Sequence, residues 1–217
     1  MAPICRRPRP ALCVVLGFAL ILAACSLMKP EAPAGQQERA QQLSSSGKHA
    51  DAARAYADLA AQGTPDRDNY ELLSAEQWVA AGDIPAAKQA FAQVSPAART
   101  RIPESRALVA AEIALAENDG AQAIHELDSI SVPTAPDLAQ NYWWIRGKSA
   151  FLTGHPVEGT RAYVERERSL TDPAALQASR QELFEKIRSA AEHGVSLAPP
   201  PKTDSIVAGW LALGPVA

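Results

Sequence analysis

One spacing recurs four times along the chain and limits what it can fold into. With Gly154 as zero, a small residue lies seven before (Gly147), another five after (Gly159), and an aromatic nine after (Tyr163). The same frame on Asn118 finds Ala111, Ala123 and Leu127. On Gly82 it finds Ala75, Ala87 and Phe91, and on Gly47 it finds Ala40, Ala52 and Tyr56. The zero positions are 35, 36 and 36 residues apart. A fixed period of this size marks stacked helical hairpins. Two antiparallel helices approach closely only where small residues face each other, and an apolar residue one turn on fills the next gap. Roughly a quarter of the chain is Ala or Gly, so the small columns alone say little. The turn and aromatic columns at constant spacing carry the inference.

The copy beginning at Trp143 resembles the tetratricopeptide repeat, with its Trp, small residue, Gly turn and Tyr. The other copies keep the small residues and the large apolar one. The expected class is all-α, a tetratricopeptide-like solenoid of helical hairpins. Low aromatic content, abundant Ala and the lack of an Asn-Gly hairpin turn agree. A net charge of −3 offers no footprint for nucleic acid.

Residues 1–24 read as a signal peptide. Arg6, Arg7 and Arg9 form a basic start, and Ala11 to Leu22 is an apolar run too short to span a membrane permanently. Leu22-Ala23-Ala24-Cys25 resembles the bacterial lipoprotein signal, which implies that Cys25 is the lipid attachment site. Two or more acyl chains anchor a protein stably where one does not. Cys5 and Cys13 would leave with the signal, so no disulfide framework is expected. Ser26, where that family's inner-membrane members carry Asp, implies the outer membrane, on its periplasmic face.

Residues 25–34 read as a tether and 35–194 as the repeat domain. Its helices are expected over 35–46 and 48–61, 66–81 and 84–94, 104–117 and 120–130, and 136–153 and 156–170. Asp66 is a candidate cap and Gly82 a candidate terminator. A longer helix over 172–193, opened by Asp172-Pro173, should cover the last hairpin. Residues 195–203, with three consecutive prolines, should be a stiff, extended linker. Residues 204–217 should begin a further helix. Its stripe of Ile206, Val207, Trp210 and Leu211 is carried away from the repeats and left without a partner, so a truncated chain is expected.

No catalytic residue, cofactor or metal site is indicated. His49, His125, His155 and His193 are isolated from one another, without metal-ligand spacing. Gly147-Lys148-Ser149 lacks the glycine and the strand of a phosphate loop. Glu165 and Glu167 point about 200° apart on a helix. Trp143 and Trp144 diverge by about 100°, so both cannot face one seam. Trp143 takes the core column, and Trp144 is the candidate for a protein-binding surface on the concave side.

Together with the lipoprotein signal, the segments RGKSAFLTG, RERSLTDP, LFEKI and IVAGWLAL resemble the LpoA/LppC family. These are outer-membrane lipoproteins that activate penicillin-binding proteins. The resemblance covers roughly residues 22–213. It implies a non-enzymatic regulator of peptidoglycan synthesis whose partner is a class A penicillin-binding protein. In the family a second, α/β domain makes the activating contact. None is seen in these 217 residues, so the chain is expected to fold and be anchored without stimulating the synthase. Four or five hairpins would span on the order of 50–80 Å. A repeat lipoprotein of outer-membrane protein assembly or pilus biogenesis is the alternative within this class, and a cell-wall-cleaving enzyme the alternative outside it.

Overall fold

A computed structural model describes residues 33–214. Among the described residues the fold is all-α, with eleven helices and no strand. Four hairpins follow one another: α1 (Pro33–Ser45) with α2 (His49–Ala61), α3 (Arg67–Ala80) with α4 (Ile84–Ala92), α6 (Pro103–Ala116) with α7 (Gly120–Asp128), and α8 (Pro136–Leu152) with α9 (Pro156–Glu167). A single turn, α5 (Ala98–Arg101), joins the second hairpin to the third and was not expected. The chain ends in α10 (Pro173–Glu192) and α11 (Ser205–Leu211). The second helix of each hairpin packs on the first helix of the next element, which makes the stack a solenoid.

The turn column is a backbone requirement. Gly47, Gly82, Asn118 and Gly154 all adopt positive φ, at 75°, 78°, 64° and 78°. Each lets the following N–H reach a carbonyl five residues back: Lys48 to Leu43 at 2.9 Å, Asp83 to Trp78 at 3.0 Å, Asp119 to Ala114 at 2.9 Å and His155 to Ala150 at 2.8 Å. This Schellman closure needs a left-handed residue, where Gly is best and Asn next. Asp83 and Asp119 then cap the following helices through Ala86 N–H at 3.0 Å and Gln122 N–H at 2.9 Å. Asp66, the expected cap of α3, makes no such bond. In its first turn the acid that matters is Asp68.

All eight small-column residues, Ala40, Ala52, Ala75, Ala87, Ala111, Ala123, Gly147 and Gly159, are buried. Ala80 and Ala92, off the columns, are exposed. The fourth hairpin needs glycine because it carries the largest neighbours. A Cβ on Gly147 would lie 2.7 and 2.8 Å from two ring carbons of Tyr163, and one on Gly159 would lie 2.6 and 2.7 Å from the Phe151 ring. Tyr163 is fully buried and meets Phe151 edge-on, with ring centroids 6.3 Å apart. Trp143, expected to hold the core column, is only half-buried, against α7 and edge-on to Tyr142. Tyr142 and Ile145 are the buried residues of that turn.

Asp68 ties the irregular stretch between α4 and α6 to α3. Its carboxylate accepts from Ser95 N–H at 3.0 Å and Ser95 Oγ at 2.6 Å, and it pairs with Arg101 at the end of α5. Burial pushes its pKa up, but the Ser95 bonds and the two arginines, Arg101 and Arg67, outweigh this and hold it below the ordinary value.

As expected, α10 covers the last hairpin, with Leu183 and Ile187 fully buried against Tyr163. The expectation for the chain after α10 needs correction. Residues 195–203 do not carry the last helix away. Thr203 N–H bonds back to Pro200 at 3.2 Å across a turn with Lys202 at φ 70°, which redirects the chain, and Leu197 packs down onto the hairpin. This is the geometry of a type II turn with Pro201 in its favoured place. Helix α11 therefore lies on α9, with Val207 and Leu211 buried against Val157 and Val164. Trp210 packs there too, and of the expected stripe Ile206 alone faces solvent. The apolar stripe has its partner within the fold, so it gives no ground for expecting a missing one.

Candidate functional site

The first helices of successive elements, α3, α6, α8 and α10, line one groove of about 770 Å³. Its floor follows from the repeat frame. Three positions before each turn residue stand Val79, Leu115 and Phe151, and two before stand Ala80, Ala116 and Leu152. Six before stand Glu76, Glu112 and Lys148, immediately after the buried small column and spaced 36 residues apart. The first copy has Gln41 and Ser44 at the equivalent positions, and neither lines the groove, which begins at α3. A neighbouring depression of about 640 Å³, towards the N-terminal ends of α3, α6 and α8, shares Glu76 and Glu112 and adds Asp66 and Asp137.

The charges sort along the stack. On α3 and α6 the carboxylates of Glu76 and Glu112 have no ion-pair partner among the described residues; Glu112 accepts one hydrogen bond, from Asn141 Nδ2. Burial pushes the Glu76 carboxyl up. Burial, then the charge of Glu76, push Glu112 up to about 7, against the Asn141 bond. On α8 and α10 stand Lys148 and Lys186. Lys148 lies 4.2 Å over the Trp144 ring and 3.8 Å from Glu182. Its pKa is lowered by burial and by Lys186 and Arg166, against Glu182. Lys186 has no ion-pair partner among the described residues.

Helices α3 and α6, and α6 and α8, touch along their backbones, while α10 stands further from α8. Trp144 occupies that gap. It is half-buried, lines the groove, and donates from Nε1 to Glu182 Oε2 on α10 at 3.2 Å. The N–H edge of the indole thus meets the covering helix, while Lys148 stands over its ring and the side chain borders the groove.

No protein-family model matches the chain, and no curated protein matches it. Solved structures do. The N-terminal domain of LpoA from Haemophilus influenzae superposes with a TM-score of 0.57 at 21% identity, covering 73% of this chain and 72% of that one. The fold is similar to that of the LpoA N-terminal domain. Full-length LpoA from the same organism matches with a TM-score of 0.57 at 22% identity, and there the match covers 73% of this chain and 30% of that one. The chain thus spans about 30% of full-length LpoA.

Within this LpoA-like fold the remaining singled-out residues fall apart. Cys25, with residues 1–24 before it and 26–32 after it, lies outside the described residues. Glu165 and Glu167 pair separately with Arg168 at 2.8 Å and Arg180 at 3.0 Å. His49 bonds Gln77, His155 bonds Thr153, and His193 Nδ1 bonds the Ser189 carbonyl, so each is used locally. No group of three or more His, Cys, Asp or Glu among the described residues is placed to hold a metal ion. Sequence reading reached Trp144 but passed over Glu76, Glu112 and Lys186. Extending the frame one residue past each small column would have shown Glu76, Glu112 and Lys148 as a single file.

Proposed function

We propose that the chain is a non-enzymatic spacer and interaction module, lipid-anchored at Cys25 to the periplasmic face of the outer membrane. It regulates peptidoglycan synthesis by a class A penicillin-binding protein. The observation that carries this reading is the likeness of the helical stack to the LpoA N-terminal domain, over most of both chains. The groove supports it. An elongated, mostly apolar cleft with charged ends suits protein recognition, and Trp144 is the kind of aromatic anchor that dominates binding where it is buried by a partner.

Two experiments test it. Capture of a detergent-solubilised class A penicillin-binding protein by the purified mature chain is expected, without release of muropeptides when the chain is incubated with sacculi. Release of muropeptides, or no capture, would sink the reading. For the anchor, metabolic palmitate should label the wild type and not Cys25→Ser; equal labelling would remove lipidation at Cys25.

A further inference from the structure

The charge order of the groove specifies more than a generic protein surface, and what it specifies rests on the interaction-module reading above. Two carboxylates, Glu76 and Glu112, face the cleft from α3 and α6 with no cation opposite them. Two ammonium groups, Lys148 and Lys186, face it from α8 and α10, and only Lys148 has an acid beside it. One turn further along the same helices, beside the file of charges, the floor is apolar, with Leu115 and Phe151 half-buried and Leu152 at 40% exposure. Neighbouring helices stand about 8–10 Å apart and α10 stands further from α8, so the centres of the two charge pairs are on the order of 20 Å apart. An extended chain covers that in about five or six residues. A carboxylate pair held out of water is costly until a cation meets it, and the same holds for the lysines and an acid.

We propose that the groove binds an extended peptide segment of a partner protein that carries basic side chains at one end and acidic ones at the other. About five or six residues separate the charged ends, and they are mainly apolar. The basic end lies on Glu76 and Glu112, the apolar middle over Leu115, Phe151 and Trp144, and the acidic end on Lys148 and Lys186. Like charges set against each other make the wrong register or an all-basic or all-acidic segment unfavourable, so selectivity comes from rejection as much as from attraction.

The probes are fluorescein-labelled peptides of about ten residues with a leucine-alanine centre. One has lysines at one end and glutamates at the other, one has lysines at both ends, and one has glutamates at both ends. A fourth keeps the mixed ends around a serine centre. Fluorescence anisotropy with the full mature chain should give at least tenfold tighter binding of the first peptide than of the other three. In Glu76→Lys/Glu112→Lys the preference should move to the peptide with glutamates at both ends. Should that variant fail to fold by circular dichroism, Glu76→Gln/Glu112→Gln should instead lose most of the discrimination between the mixed and the all-glutamate peptides. Equal binding of the four peptides, or a preference unmoved in a folded variant, overturns the proposal. Synthase capture separates it from the functional reading. Peptide discrimination without capture in the wild type defeats that reading alone. Capture equal in wild type and folded groove variant, with no peptide discrimination, defeats this proposal alone.

Discussion

Replacing Glu112 by Gln should stabilise the fold at neutral and alkaline pH and leave it nearly unchanged in acid. The carboxyl of Glu112 feels the charge of Glu76 from α3 and accepts a hydrogen bond from Asn141 of α8. The net result, with burial foremost, raises its pKa from 4.5 to about 7. In the unfolded chain it titrates near 4.5. Between those two values the native state still holds a proton that the unfolded state has released, so stability falls as pH rises through this window. Below it both states are protonated and there is no penalty; above it both are ionised and the penalty is complete. A displacement of that size corresponds to about 3 kcal/mol. Residual contact of the side chain with water reduces this to about 1–2 kcal/mol. Glutamine keeps an oxygen for the Asn141 bond and carries no charge, so it removes the penalty. Urea denaturation followed by circular dichroism at pH 4 and pH 8 measures both proteins. The variant should be more stable by about 1–2 kcal/mol at pH 8, a midpoint shift of roughly 0.5–1 M. At pH 4 the two should agree within about 0.5 kcal/mol. The depressed Asp68 group weakens both proteins alike as pH falls and cancels in the difference. A stability difference of the same size at both pH values would refute the reasoning.

Three further outcomes follow from the packing. Gly147→Ala places a methyl 2.7 Å from the buried Tyr163 ring and should cost about 1–2 kcal/mol despite the better helix propensity of Ala. Gly209→Ala, with nothing within 4 Å, should instead gain up to about 1 kcal/mol, and thermal midpoints moving in the same direction would contradict this. Ala87→Leu should cost about 1–3 kcal/mol and Ala92→Leu about 0.5 kcal/mol or less, because Ala87 is fully buried and Ala92 exposed; equal denaturant midpoints would break the register. Leu211→Ala should cost about 2–5 kcal/mol, since Leu211 is 1% exposed against α9; a negligible change in unfolding would mean that α11 is not docked.

The hairpins were legible in the sequence because their defining contacts are short in chain distance and identical in kind. A left-handed turn residue, a small residue seven before it and another five after it must meet within one hairpin, and the demand recurs with the period. Gly47, Gly82, Asn118 and Gly154 state it directly, and every member of the two small columns is buried. The groove left a weaker trace. Glu76, Glu112 and Lys148 keep the period in position but not in residue type, since no backbone or packing constraint dictates the residue on that face. Its lining also takes in Lys186 from α10, which lies outside the four-copy frame. The place of Trp144 depends on the distance at which α10 covers α8, and no local pattern encodes that distance. The last helix shows the limit most plainly. Its stripe of Val207, Trp210 and Leu211 announces burial, but three prolines read as an outward spacer until the turn at Lys202 and the packing of Leu197 fold the chain back. Periodic sequence determines repeating local contacts; which surface a single, unrepeated segment meets is decided only when the tertiary structure brings both to the same place.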